Sequence, residues 1–220
     1  EVDFMATIFF CTDCGFETSK WSGKCPACGA WGTLKESTRV TGKNNKPSEI
    51  LVQNKPERII DLEYDEFSRL MTGIKEFDLV LGGGIVKGML ILIGGEPGIG
   101  KSTLMLQLSE WMGKQNKKTL YCSGEESAEQ IRLRSKRLKV ISENIYLLCT
   151  NNAEQIIEAI EENKPDLAIV DSIQSVSIPS LDALPGTVTQ LRETTSRLLR
   201  TVKNLGIPLF LVGHVTKEGL

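Results

Sequence analysis

Ten residues, Gly94-Gly95-Glu96-Pro97-Gly98-Ile99-Gly100-Lys101-Ser102-Thr103, constrain this chain more than any other stretch. The apolar run Met89-Leu90-Ile91-Leu92-Ile93 leads into them, and Leu104, Met105, Leu108, Trp111 and Met112 follow at helical spacing. A strand, a glycine-rich bend and a helix in that order specify one local unit of an α/β protein. Residues 95–102 also satisfy G-x-x-x-x-G-K-[ST], here with the flanking strand and helix that the bare pattern does not guarantee. The glycines let successive N–H groups turn inward as an anion cradle, and the helix adds its positive N-terminal end. The pattern predicts ATP or a similar triphosphate held by Gly95, Glu96, Pro97, Gly98, Ile99, Gly100, Lys101, Ser102 and Thr103. Lys101 would reach the β- and γ-phosphates, and the Ser102 hydroxyl would ligate Mg²⁺.

The remaining bulk properties narrow the class. With 220 residues and a net charge of −2, the chain can bury a core and has no general affinity for polyanions. Any contact with nucleic acid would therefore need a local basic patch. No apolar run approaches the roughly 20 residues of a membrane span. The first residues, Glu1-Val2-Asp3-Phe4, lack a basic stretch followed by an apolar core, so no secretory signal is expected. The expected compartment is cytoplasmic, without membrane association.

Four of the six cysteines form two pairs, Cys11-Thr12-Asp13-Cys14 and Cys25-Pro26-Ala27-Cys28. Paired C-x₂-C knuckles present four thiolates that can close tetrahedrally on Zn²⁺. Gly15 and Gly29 suit the turns that follow, and Trp21 and Trp31 are expected to cover the metal site. Two disulfides, a redox pair or an iron–sulfur cluster are the alternatives, the first two disfavoured by a reducing compartment. Four protein ligands leave no open position, so the centre would be structural. Residues 5–34 thus read as a zinc ribbon. Residues 35–55, polar and weakly periodic, read as a linker, and residues 56–220 as the nucleotide-binding core.

Within that core, Ile74, Phe77 and Leu81 have helical spacing, with Thr72 as a possible N-cap, and Gly82-Gly83-Gly84 ends the helix by a close approach or a flexible turn. A strand over 119–122 ends at Ser123-Gly124-Glu125-Glu126-Ser127. Carboxylates at the carboxyl end of a parallel strand could activate water, or could simply start the next helix. The following helix carries Arg132, Arg134, Lys136, Arg137 and Lys139, read as a solvated face that could alternatively meet DNA or a neighbouring nucleotide. Cys122 and Cys149 read as inert packing residues of buried strands. Leu167-Ala168-Ile169-Val170-Asp171 is an apolar strand ending in an acid, which would place Asp171 near Mg²⁺. Residues 173–185 form a long loop of the kind often used in function. His214, the one histidine, follows the last strand, Pro208-Leu209-Phe210-Leu211-Val212. Strands and helices alternate after residue 88, which gives an α/β class with a mostly parallel sheet covered on both faces.

Several motifs taken together resemble the bacterial RadA (Sms) family. They are Trp21-Ser22-Gly23-Lys24-Cys25-Pro26-Ala27-Cys28, Thr72-Gly73-Ile74-Lys75-Glu76-Phe77-Asp78, the phosphate loop, Tyr121-Cys122-Ser123-Gly124-Glu125-Glu126-Ser127, and Gly213-His214-Val215-Thr216-Lys217-Glu218-Gly219. The resemblance implies a RecA-like ATPase core behind a Cys₄ zinc ribbon, hydrolysing ATP in homologous recombination and DNA repair. It implies action on single-stranded and branched DNA, a RecA-type recombinase as partner, and a hexamer. By motif it gives Glu125 the water-activating role, ahead of Glu126. It makes Asp171 the Walker B acid and His214 the γ-phosphate sensor linked to DNA loops, of which residues 173–185 match the first. The family pattern continues into a Lys-Asn-Arg-Phe-Gly motif and a Lon-protease-like domain that this sequence does not contain. The resemblance therefore implies a core incomplete on its C-terminal side.

Overall fold

A computed structural model of the 220-residue chain describes residues 5–11, 16–27, 29–40, 58–61 and 69–214. The chain divides into two compact units, Glu1–Phe67 and Ser68–Leu220.

In the first unit, β1 (Met5–Cys11) lies between β2 (Glu17–Thr18) and β3 (Leu34–Val40), all antiparallel. β3 pairs with β1 from Cys11↔Leu34 to Met5↔Val40. Residues 35–40, expected to open the linker, are therefore strand, because β1 offers an unbroken ladder of backbone partners. The rest of the expected linker up to residue 55 lies outside the described residues. A small core holds Cys11, Cys25 and Leu34, with Phe9 packed against it. Trp21 and Trp31, expected to cover the metal site, are instead 64% and 76% exposed. The Trp31 ring faces the Lys24 ammonium at 5.9 Å.

The second unit is a five-stranded, wholly parallel sheet. Its strands are β4 (Leu90–Gly95), β5 (Thr119–Ser123), β6 (Ile145–Cys149), β7 (Leu167–Asp171) and β8 (Leu209–His214), in the order β4-β8-β7-β5-β6. Helices α1 (Lys75–Val80), α2 (Lys101–Lys114), α3 (Ala128–Leu138), α4 (Ala153–Asn163) and α5 (Val188–Leu205) connect or flank them. Period-two alternation divides the strand side chains between two layers. Leu120, Cys122, Ala168, Val170, Leu209 and Leu211 pack with Ile156 and Ile160 of α4 and Leu198 and Val202 of α5. Tyr121, Leu167, Ile169, Phe210 and Val212 pack with Met105, Leu108 and Met112 of α2 and Ile131 of α3. The expected α/β sheet, covered on both faces, is what these sequences build.

Two local expectations need correction, and one left open is decided. Thr72 does not cap α1, whose N-cap position is Ile74. The buried Asp78 carboxylate instead accepts the Thr72 N–H at 2.8 Å, and the Thr72 hydroxyl accepts from Ile74 N. The triple glycine is a close approach: a Cβ at Gly84 would stand 2.9 Å from the Leu70 carbonyl oxygen, where Leu70 and Ile85 form a bridge. Cys122 is buried as expected, but Cys149 is exposed, because β6 is an edge strand.

The expected long loop is also organised. Residues Ile173–Ser175 form a short 3₁₀ turn, and Ile173, Val176 and Ile178 enter the core. The buried Gln190 of α5 accepts the Ile178 N–H and donates to the carbonyls of Ile178, Leu181 and Ala183. One side chain thereby satisfies backbone groups that a non-repetitive segment could not pair by itself.

Candidate nucleotide-binding site

The carboxyl ends of β4, β5, β7 and β8 meet at a cleft of about 390 Å³ lined by the phosphate loop, Ser123, Glu125, Glu126, Arg134, Asp171 and His214. Parallel strands open their ends on one edge, which is where open α/β sheets gather ligands. The loop from β4 turns through left-handed Gly98 and Gly100, so that α2 begins at Lys101 with its unpaired N–H groups at the cleft.

Lys101 is buried at its base. Its ammonium donates to the carbonyls of Gly95 at 2.8 Å and Glu96 at 2.9 Å, and stands 3.3 Å from His214 Nδ1. An ammonium only donates, so Nδ1 is the acceptor and the ring proton sits on Nε2. Nε2 faces Glu125 Oε1 at 3.7 Å. The register explains the meeting: Gly95 of β4 pairs directly with His214 of β8.

Glu125 leaves β5 into the cleft and accepts a short hydrogen bond from the Ser172 hydroxyl. Ser172 is buried next to Asp171, across a cis peptide bond. Glu126 turns toward α3 and pairs closely with Arg134, and its backbone N–H donates to Ser123 Oγ at 3.1 Å. The second carboxylate oxygen of Glu126 is buried without a hydrogen bond among the described residues. Asp171 receives the Tyr121 hydroxyl on Oδ2 at 2.5 Å. Burial, followed by the Asp171 charge, pushes the Tyr121 phenol far above its ordinary pKa, so it stays a neutral donor.

Lys101, Ser102, Thr103, Glu125, Asp171 and His214 thus converge on one cleft with Pro97, Gly98 and Gly100, whereas Gly95, Glu96 and Ile99 complete the loop outside its immediate lining. Two participants were not singled out from sequence. Arg134 belonged to a charge run whose other members, Arg132, Lys136, Arg137 and Lys139, are solvated as expected. Its turn toward the cleft could not be fixed without knowing that Ile131 and Ser135 face inward. Tyr121 was placed only within a strand; its ring is core and its hydroxyl serves the site.

The oxygen donors suit a divalent cation. The Ser102 hydroxyl and the Asp171 carboxylate line the same cleft, and the Tyr121 hydroxyl engages Oδ2 of Asp171, leaving Oδ1 as the oxygen available to a cation. In the first unit, the buried Cys11 and Cys25 share one small core, with Cys11 N–H donating to the Phe16 carbonyl and Gly29 N–H to the Cys25 carbonyl, both at 2.9 Å. That arrangement fits a thiolate metal centre. Cys14 and Cys28 lie outside the described residues, and among the described residues no three candidate ligands converge.

A family model described as rubredoxin metal binding domain matches residues 9–36, and the KaiC ATPase model matches residues 70–147. DNA repair protein RadA of Bacillus subtilis is 45% identical over 96% of this chain and 47% of its own length. The chain is a homologue of RadA along nearly all of its length. The RadA proteins of Streptococcus pyogenes and Aquifex aeolicus are 46% and 44% identical, again over 47% of their length. The chain therefore spans about half the length of the curated RadA relatives it matches. A KaiC-like protein from Pyrococcus horikoshii, at 20% identity and TM-score 0.56, covers 67% of this chain with 70% of its own and shares the fold. The zinc-ribbon and RecA-like architecture read from the motifs is the one found, and its core matches a KaiC-like fold. Among the described residues no helix is long and apolar enough to cross a membrane.

Proposed function

We propose that the chain is the zinc-ribbon and ATPase portion of a DNA-repair motor that hydrolyses ATP in homologous recombination. The observation that carries this reading is the cluster of Lys101, His214 and Glu125, in which an ammonium, an imidazole and a carboxylate stand within 3.3 Å and 3.7 Å contacts at the phosphate loop. Lys101 exchanges its loop carbonyls for β- and γ-phosphate oxygens, a charge-assisted contact that favours triphosphate. Ser102 and Asp171 would hold Mg²⁺, which neutralises phosphate charge. Glu125, oriented by Ser172, accepts the proton of the attacking water. His214, with its proton on Nε2, reports the γ-phosphate between Lys101 and Glu125. Arg134 adds a cation to the cleft from the same chain, held ready by Glu126.

On this reading Cys11, Cys14, Cys25 and Cys28 hold one structural Zn²⁺ in a ribbon over residues 5–34, followed by a linker and the ATPase core. The relatives' name, DNA repair protein, supports a DNA partner; the RecA-type recombinase partner, the hexamer and the cytoplasmic setting are part of the same proposal. The loop over 173–185 is the proposed contact with single-stranded and branched DNA, and Gln174 joins it to the sensor strand by donating to the His214 carbonyl at 3.1 Å.

The test is multiple-turnover phosphate release with and without single-stranded DNA, for the parent and for Glu125→Gln. Loss of turnover with ATP affinity retained supports the assignment. Absence of turnover in the parent under every DNA condition would instead leave a nucleotide-gated binding module.

A further inference from the structure

Tyr121 and Asp171 come from adjacent strands. Tyr121 pairs with Ile169, and Asp171 lies two residues further along β7 on the same face of the sheet. A diagonal neighbour at that spacing is within reach of a long aromatic side chain. The Tyr121 ring is only 2% exposed and sits in the layer formed with α2 and α3. Its hydroxyl crosses to Asp171 Oδ2 at 2.5 Å. Phenylalanine would fill the same layer equally well, so packing alone does not call for the hydroxyl.

A carboxylate that must present one oxygen to a cation or its water gains from having the other oxygen fixed. Without that bond, the Asp171 carboxylate would be freer to rotate at the mouth of the cleft. The phenol is a single donor in a dry layer, with no solvent to replace the bond. We propose that Tyr121 is a positioning residue for Mg²⁺-nucleotide binding: its hydroxyl locks the Asp171 carboxylate with Oδ1 toward the cleft. The inference rests on the reading of Asp171 as the acid that faces Mg²⁺.

The experiment is direct titration of a fluorescent ATP analogue into the chain, in Mg²⁺ and in EDTA, for the parent, Tyr121→Phe and Asp171→Asn. Tyr121→Phe keeps the ring in the core, so the fold is retained. The half-saturating Mg²⁺ concentration for tight nucleotide binding is expected to rise about tenfold in Tyr121→Phe, with affinity in EDTA unchanged. A merely structural role would weaken both conditions alike, and that result overturns the proposal. So does a Mg²⁺ requirement within twofold of the parent when Asp171→Asn shifts it strongly. If Asp171→Asn leaves the Mg²⁺ requirement unmoved, the reading of Asp171 fails and this inference falls with it.

Discussion

The Lys101 ammonium stands 3.3 Å from His214 Nδ1 while donating to two carbonyls of its own phosphate loop, at Gly95 and Glu96. The loop is thus self-satisfied: its cation is held at the base of the cleft by groups of the same loop. On the proposed reading, binding would exchange neutral carbonyl partners for charged phosphate oxygens, and the difference would favour the triphosphate by an amount on the order of 1.5–3 kcal/mol. Lys101→Ala should therefore weaken ATP about ten- to a hundredfold with little change in melting temperature. Calorimetric titration of ATP checks this; affinity equal to the parent's would remove Lys101 from the site.

Ser172 offers a finer test of how Glu125 is aimed. Its buried hydroxyl donates to Glu125 Oε1, and His214 approaches the same oxygen. Ser172→Ala leaves Glu125 in place but half-exposed and freer to rotate. We expect kcat to fall about tenfold with KM for ATP nearly unchanged, since positioning acts on the chemical step more than on binding. A rise in KM alone would mean that Ser172 supports the nucleotide and not the base.

How much of this was legible in the sequence follows the range of each signal. The phosphate loop, its strand and its helix are contiguous, so Gly95 to Thr103 could be read directly. Asp171 and His214 could be placed at strand ends because apolar runs mark parallel strands, yet their meeting depends on the order β4-β8-β7-β5, which no local pattern encodes. Arg134 was hidden among five basic residues because facing on α3 is decided by the packing of Ile131 and Ser135. Trp21 and Trp31 misled because their place beside the second cysteine pair does not fix which way an indole points, and both stand mostly exposed. Cys149 misled because nothing in Ile145–Cys149 distinguishes an edge strand from a central one.

Gly73 makes a prediction about stability. It has φ +79°, and a Cβ there would fall 2.2 Å from the Trp111 ring of α2. Gly73→Ala should cost about 2–4 kcal/mol, from a left-handed alanine and from overpacking together. In a Trp111→Ala background only the backbone part should remain, about 1–2 kcal/mol. Denaturant unfolding of the four proteins closes the cycle; equal costs in both backgrounds would show that the indole moves aside freely.

The two cysteines outside the ribbon should behave differently. Burial pushes the Cys122 thiol up to about 12, while Cys149 is exposed and raised less, by partial burial and by Glu129. Brief alkylation of the folded chain should modify Cys149 and leave Cys122 until unfolding, as read by peptide mass mapping. The sign of the pH effect follows. In the unfolded chain the Cys122 thiol ionises near its ordinary 9.0, so its contribution to stability is complete below pH 9 and is lost as pH rises toward about 12. Cys122→Ala should flatten that alkaline loss in thermal melts taken across the window.

The ribbon makes the last prediction. Among the described residues Cys11 and Cys25 are buried together with Leu34, and a unit of this size has too little apolar interior to order a three-stranded sheet without a further source of free energy. On the proposed reading, a metal bound by four thiolates would supply it. The purified chain should carry one zinc per molecule by elemental analysis. Because the ligands must be deprotonated, metal should be released as pH falls, with a chromogenic chelator reporting the release. Cys25→Ser should reduce zinc below one per chain and expose the backbone amides of Met5–Cys11 and Leu34–Val40 to hydrogen exchange. Persistent protection of those amides in metal-free protein would mean that the sheet is held by packing, and that the cysteines do not bind a structural ion.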